Sequence, residues 1–227
     1  MSTTNTDPRA VPPTGTSPVT AINLLLEPDA TMRERAEAIN ARLLEVFPQG
    51  FELDAAHHPH LTLLQRFVRT ADLDEVFSAA GEAFAGVDLL DVQLLAHRYY
   101  YIPSGALGLA GIVSMPHPAL RELQQRLIEA VTPFTVSTGL SDAFVTTPAD
   151  PVIDLMLIDY VSKFVPASTG EQFNLHLTTG VAPRDYLDKM LAEPFDSFTY
   201  SPAGAAVYQL GQFGTAARKL HGWDSAS

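Results

Sequence analysis

Apolar and polar positions along the chain follow the period of strands in several places. Apolar runs predict strands at residues 21–26 and 205–210, and an alternating run predicts a third at residues 60–67. Strand patterns also fill residues 91–113, where the Pro-Ser-Gly at 103–105 predicts the turn of a hairpin. Strands are therefore expected in both halves of the chain.

Apolar residues spaced three or four apart predict helices between these strands. The first helix carries Ala36, Ile39, Leu43 and Phe47 on one face, and Thr-x-x-Glu at residues 31–34 predicts its capped start. Further helices are predicted at residues 72–85, 118–131 and 184–192. The order strand, helix, strand consequently occurs twice.

The tripeptide His-Leu-Thr also occurs twice, which is more often than the composition gives by chance. Side chains alternate between the faces of a strand, so His60 and Thr62 emerge together from the first copy, and His176 and Thr178 from the second. If the two strands lie near each other in one sheet, two imidazoles and two hydroxyls face each other across a cleft. Such a set is suited to phosphoester chemistry.

Two segments fall outside the repeated pattern. Residues 1–18 are rich in Ser, Thr and Pro, which predicts a disordered tail. A long insertion at about residues 132–172 precedes the second His-Leu-Thr, and Asp150-Pro151 predicts the start of a helix within it. That helix either packs on the sheet as an extra element or forms a lid over the cleft. Its apolar stripe consists of Ile153, Met156, Leu157, Tyr160, Val161 and Phe164.

Charge and composition narrow the classes of function. The 227-residue chain has a formal net charge of -12, which argues against binding long nucleic acid, because that binding neutralises many phosphates with Lys and Arg. The chain has no cysteine, so disulfides, thiolate metal sites and cysteine nucleophiles are excluded. Neither a membrane-spanning apolar run nor a secretion signal is recognisable, so a cytoplasmic protein is expected.

Several other residues are weaker candidates for a site. Arg66 has the parity of His60 and could meet a phosphate, although a plain surface arginine is the simpler interpretation. Tyr99 and Tyr101 share a strand face and could stack a base, or they could belong to the core. The closely spaced histidines at residues 57–60 diverge on a strand and lack an acidic ligand at a familiar zinc spacing, so no metal site is expected.

Two His-x-Thr strands in duplicated halves resemble the two-histidine (2H) phosphoesterase superfamily, which includes bacterial 2′-5′ RNA ligases and cyclic phosphodiesterases. The resemblance covers about residues 20–223, and its specific part is the two tripeptides. It implies an α/β (α+β) fold, bilobal and pseudo-twofold, with mostly antiparallel sheets lining a central cleft and helices outside. On this basis residues 19–223 are expected to form one domain.

The resemblance also implies a metal-independent and cofactor-independent phosphodiesterase. Its substrates would carry cyclic (2′,3′-type) or 2′-5′ phosphodiester bonds, in small nucleotides or at RNA ends. Independently of the resemblance, the protein is expected to be a monomer. His60 and His176 would share the roles of general base and general acid, and Thr62 and Thr178 would bind the non-bridging phosphate oxygens. RNA-end ligation forming a 2′-5′ bond and non-catalytic sensing of a phosphorylated ligand remain the alternatives.

Overall fold

A computed structural model describes residues 18–148 and 150–224, so the predicted tail, apart from Pro18, lies outside the described residues. The strands are β1 (Val19–Pro28), β2 (Leu61–Arg69), β3 (Leu94–Ser104), β4 (Leu107–Ser114), β5 (Thr135–Val136), β6 (His176–Pro183), β7 (Phe198–Tyr200), β8 (Pro202–Leu210) and β9 (Ala216–Asp224). The helices are α1 (Ala30–Val46), α2 (Leu73–Ala85), α3 (Pro118–Val131), α4 (Leu155–Ser168) and α5 (Arg184–Leu191). None of the helices in the described ranges combines the length and the apolar character needed to cross a membrane.

All strands of the described residues belong to one antiparallel sheet. Its order is β7-β3-β4-β6-β2-β1-β8-β9, and β5 pairs with β2 beside this path. At the centre, β2 and β6 meet through one register pair, Leu61 with Leu177. Four strands of this order lie on each side of the β2–β6 junction, and β6 and β2 are the innermost strand of each set. The sheet therefore consists of two equivalent halves joined at the two His-Leu-Thr segments.

The chain order confirms the predicted fold class. The run β1-α1-β2-α2-β3 is repeated as β4-α3-β6-α5-β8, with the insertion between α3 and β6 and the short strand β7 between α5 and β8. The large core cluster joins apolar residues of the sheet to residues of α1, α2 and α3. The result is an α+β fold with a pseudo-twofold relation between its halves.

Both His-Leu-Thr strands contain a β-bulge one residue after the threonine. In β2, Thr62 pairs with Leu25 and Leu64 pairs with Leu24, which leaves Leu63 as the extra residue. In β6, Thr178 pairs with Gly111 and Gly180 pairs with Ala110, which leaves Thr179 extra. An extra residue reverses the alternation of side chains beyond it.

Buried amide side chains hold both bulges. Gln124 of α3 donates a hydrogen bond from Nε2 to the carbonyl of Leu63 at 2.8 Å. Asn40 of α1 donates from Nδ2 to the carbonyl of Thr179 at 2.9 Å. Helix α1 packs against β6 and α3 packs against β2, so each helix fixes the motif strand of the other half.

The start of α1 differs from the sequence prediction. Asp29 is the N-cap, with Oδ1 accepting from the backbone N–H of Met32 at 3.0 Å and Oδ2 accepting from that of Ser201 at 2.9 Å. Thr31 is an exposed residue within the helix, so the predicted capping box at residues 31–34 is wrong. The carboxylate of Asp29 accepts hydrogen bonds from two backbone N–H groups at once. A threonine hydroxyl at residue 31, inside the helix, cannot reach these two donors.

Other elements of the chain also correct the sequence prediction. Helix α4 is capped by Asp154, and not by Asp150 as predicted, because the Asp154 carboxylate accepts from the N–H of Met156 at 2.8 Å. Strand β9 was not predicted, since its polar residues lack an alternating pattern and its two register shifts against β8 disturb parity further. Its place at the sheet edge gives it one strand neighbour, so the sequence carries little strand signal there.

The bulge contact of α3 can be tested with two adjacent glutamines. Gln124→Leu removes the buried donor to the Leu63 carbonyl, and leaving that carbonyl unpaired should cost about 1–3 kcal/mol of unfolding free energy. Gln125→Leu is the matched control, because Gln125 is exposed and donates a hydrogen bond to Glu129 within its own helix. Urea unfolding of the two variants measures the difference. Equal stabilities would contradict the role given to Gln124.

Candidate active site

The two His-Leu-Thr segments meet at the centre of the sheet. Leu61 and Leu177 are fully buried. The histidine and threonine of each copy are partly exposed on the other face. The alternation expected of strands therefore holds through both tripeptides. All four polar side chains line one cleft of about 410 Å³, a size at which pockets hold small ligands.

The cleft is bounded by three parts of the fold. Its floor comes from the two motif strands, one side comes from the β3–β4 hairpin, and the other comes from α4 and residues 212–214. The lining residues are His60, Thr62, Gln65, Tyr100, Ile102, Pro103, Ser104, Leu109, Asp154, Met156, Leu157, Tyr160, Phe164, Ala167, Ser168, Gln172, Phe173, Asn174, His176, Thr178, Gln212, Phe213 and Gly214.

Both imidazoles are oriented by the same local hydrogen bond. Nδ1 of His60 lies 2.7 Å from the carbonyl oxygen of His58, and Nδ1 of His176 lies 2.8 Å from that of Asn174. A carbonyl oxygen only accepts, so Nδ1 carries the hydrogen in each ring. On a neutral ring Nε2 is then free to accept a proton.

Burial lowers the pKa of both imidazoles. The pKa of His60 falls from 6.5 to about 4, chiefly by desolvation; the bond to the His58 carbonyl opposes this, and the charge of His176 adds to it. The pKa of His176 is lowered as well, again by desolvation, against the opposing bond to the Asn174 carbonyl. Both rings are consequently neutral near neutral pH in the protein on its own.

A buried asparagine that sequence reasoning missed orients one threonine. Asn23 of β1 donates a hydrogen bond from Nδ2 to Oγ1 of Thr62 at 3.0 Å. The Thr62 oxygen is thereby used as an acceptor, and its own O–H can be donated into the cleft. The signal in the sequence was a polar residue, Asn23, inside the apolar run of β1, and the structure buries this residue fully.

Tyr100, and not its two predicted neighbours, contributes the tyrosine of β3 to the cleft. Its ring centroid lies 5.5 Å from that of His176. Gly111 lies between Tyr100 and Thr178 in the register of the sheet, and a Cβ at this glycine would lie 2.7 Å from the carbonyl oxygen of Leu177. The glycine therefore permits the close approach of β4 to the motif strand β6, and Tyr100 lies beside His176.

Tyr99 and Tyr101 share one face, as predicted, but that face is turned away from the cleft. The ring of Tyr99 packs against Phe195 at 4.8 Å. The hydroxyl of Tyr101 donates to Asp188 of α5 at 2.6 Å. The predicted role in stacking a base is therefore corrected, because both side chains cover the side of the sheet that α5 packs on.

Arg66 also differs from its predicted place. It is not among the described residues that line the cleft, whereas Gln65 is. The bulge at Leu63 reverses the alternation, so parity with His60 no longer places residue 66 on the same face. The Nε of Arg66 is buried without a hydrogen-bond partner in the described part of the chain, and burial lowers the pKa of its guanidinium.

The insertion helix packs on the sheet, which is one of the two alternatives that the sequence left open, and it also lines the cleft. Val161 and Phe164 of α4 are buried, and Val161 packs with Phe67 and Phe144 above β2. Met156 and Tyr160 of the same helix remain exposed and line the cleft. Helix α4 is thus an extra packed element and one wall of the cleft together.

The three histidines that precede and include the first motif diverge, as predicted. His57 is buried, with Nδ1 2.9 Å from Asp54 Oδ1 and Nε2 3.0 Å from Asp150 Oδ2. The ring of His58 packs against Tyr208 at 5.2 Å, and His60 faces the cleft. His57 thereby ties the insertion to the loop whose carbonyl orients His60. Within residues 18–148 and 150–224, no group of three or more His, Cys, Asp or Glu is arranged to hold a metal ion.

The lowered pKa of His60 predicts a loss of stability in acid. Between pH 6.5 and about 4 the unfolded chain binds a proton at His60 that the folded protein does not, so the free energy of unfolding falls as the pH falls. His60→Gln removes this contribution, and the stability of the variant should fall less steeply over that range. Urea unfolding at a series of pH values measures both slopes. Parallel slopes would contradict the lowered pKa.

Comparison with known proteins gives matches among solved structures alone. The sequence matches no protein-family model and no curated protein sequence. The chain is similar to the structure of Usb1 from Kluyveromyces marxianus, at 12% identity and a TM-score of 0.41, over 89% of this chain and 97% of that one. It is similar also to the structure of the same protein with uridine monophosphate, at 12% identity and a TM-score of 0.41, over 88% of this chain and 98% of that one.

Proposed function

We propose that the protein is a phosphodiesterase that hydrolyses its substrate by acid–base catalysis with His60 and His176, without a metal. One observation carries this proposal. Two imidazoles, each held through Nδ1 by the carbonyl two residues earlier, line one cleft beside a threonine hydroxyl. Such paired proton-transfer groups can catalyse the cleavage of a phosphoester bond.

The proposed reaction uses one imidazole on each side of the phosphorus. The neutral Nε2 of one ring takes a proton from water while the water oxygen forms a bond to phosphorus. The other ring, protonated, gives its proton to the leaving ribose oxygen as the P–O bond breaks. The pseudo-twofold relation of the two rings suits this division, because the attacking and leaving oxygens lie on opposite sides of the phosphorus.

The threonines would stabilise the charge that develops on the phosphate. Thr62 can donate its hydroxyl hydrogen to a non-bridging oxygen because Asn23 already occupies the hydroxyl oxygen as a donor. Thr178 occupies the equivalent position beside His176. Donors fixed in this way stabilise a transition state without reorganising during the reaction.

One imidazole must become charged although burial opposes it. Desolvation lowers the pKa of both rings. A phosphate anion placed between them favours the protonated form of a neighbouring ring, which raises that pKa again. Protonation and substrate binding are therefore expected to be linked, and the pH profile of turnover should be bell-shaped.

The proposed substrates are small nucleotides or RNA ends with cyclic 2′,3′-type or 2′-5′ phosphodiester bonds. The net charge of -12 disfavours long nucleic acid as a partner. RNA-end ligation is the reverse chemistry in the same cleft, and a sensor would bind such a ligand without turnover. The sensor is a separate outcome of the assay below.

Histidine variants test the proposed catalysis directly. His60→Ala and His176→Ala should each lower the turnover of nucleoside 2′,3′-cyclic phosphates in EDTA by about 10²- to 10⁴-fold, because each removes one proton-transfer group. His221→Gln is the control, since His221 lies on β9 and packs against Phe77 at 4.9 Å. Binding without turnover in the native protein supports a sensor, and turnover that depends on added metal contradicts the mechanism.

A pair of substitutions separates the Thr62 hydroxyl from its methyl group. Thr62→Val should lower kcat by on the order of 10²-fold through loss of a fixed donor to the phosphate. Thr62→Ser keeps the hydroxyl and the contact from Asn23 and should retain most of the activity. The measurement is kcat for a cyclic nucleotide at saturation. Similar losses in both variants would show that packing, and not hydrogen bonding, is the contribution of Thr62.

A further inference from the structure

The cleft contains a place for one phosphate but lacks a cation for a second. No Lys or Arg is found among the described residues that line it, and Asp154 is the carboxylate in that set. The groups that would meet a phosphate are the two imidazoles and the two threonine hydroxyls. In the proposed reaction one ring is protonated and the other is neutral, so together they balance the charge of one phosphodiester.

Away from this centre, the walls of the cleft are largely apolar. On the hairpin side, Ile102, Pro103 and Leu109 line it. On the insertion side, Met156 and Leu157 line it. A second phosphate against either wall would lose water without gaining a partner of opposite charge, which is costly.

Among the described residues, Arg98 is a positively charged side chain that lies near a residue of the cleft without lining the cleft itself. The guanidinium carbon of Arg98 lies 5.8 Å from the ring centroid of Tyr100. Arg98 is exposed, so the surrounding salt solution screens its charge. Because the whole chain carries a net charge of -12, the field outside the cleft opposes further negative charge on a ligand.

We propose that the cleft selects phosphodiesters with a single negative charge, and that each further phosphate on the same molecule weakens binding. The inference rests on the proposed function and names its substrate class. The favoured ligand is the cyclic phosphate of one nucleoside. The same nucleoside with an additional 5′-phosphate, or an oligonucleotide ending in the cyclic phosphate, is disfavoured.

The experiment compares two substrates that differ by one phosphate. The first is the nucleoside 2′,3′-cyclic phosphate that the protein hydrolyses fastest, and the second is the same compound with a 5′-phosphate. At low salt, kcat/KM for the second compound should be lower than for the first by about tenfold or more, since electrostatic repulsion is then weakly screened. The gap should narrow as salt is added, whereas a gap caused by size alone would not change with salt.

Ser104 offers a matched pair of variants, because it is exposed and lies at the edge of the cleft. Ser104→Arg adds the missing cation, and Ser104→Gln adds a long polar side chain without charge. The ratio of kcat/KM for the 5′-phosphorylated substrate to that for the singly charged one should be about tenfold higher in Ser104→Arg than in Ser104→Gln. This ratio reports charge selection separately from any general loss of activity.

The outcomes distinguish this inference from the proposed function. Equal or better turnover of the 5′-phosphorylated substrate would overturn charge selection and leave the phosphodiesterase intact. If neither compound is hydrolysed, the proposed function fails, and the uncleaved compounds become ligands whose Kd values are compared by calorimetry at two salt concentrations. Tighter binding of the singly charged compound then supports charge selection, while equal Kd values, or binding of neither, overturn it.

Discussion

Two hydrogen bonds determine the shape of the cleft. Each runs from the side-chain amide of a helix residue to the backbone carbonyl of a bulge residue. Gln124 donates to Leu63 and Asn40 donates to Thr179, and in each case the acceptor belongs to the strand that carries a His-Leu-Thr. A carbonyl left out of the strand ladder by a bulge needs a donor, because a buried unpaired carbonyl is costly. The amides supply it, and the bulges then decide which side chain follows each threonine on the cleft face.

The centre of the cleft balances two opposing effects on its histidines. Burial keeps both rings neutral, while the carbonyls of His58 and Asn174 stabilise the charged form and fix the hydrogen on Nδ1. The protein therefore holds two proton acceptors in a poorly solvated place at some cost in stability. A bound phosphate would supply the negative charge that this environment lacks.

The sequence predicted what depends on local pattern and missed what depends on distant contacts. The parity of His60 and Thr62 and the hairpin follow from residues that are adjacent in the chain. The bulge at Leu63 depends on Gln124, which is far away in sequence, so Arg66 was placed on the wrong face. The sequence correctly predicted that Tyr99 and Tyr101 share one strand face. It did not predict that this face is the one covered by α5.

The crosswise packing of the helices has a consequence for how the molecule is built. Because α1 covers β6 and α3 covers β2, neither half holds the donor that its own motif strand needs. A half expressed alone would expose a bulge carbonyl and could recover the missing amide only from the other half or from a second copy of itself. The arrangement of the two histidines in one cleft therefore depends on contacts between the two halves.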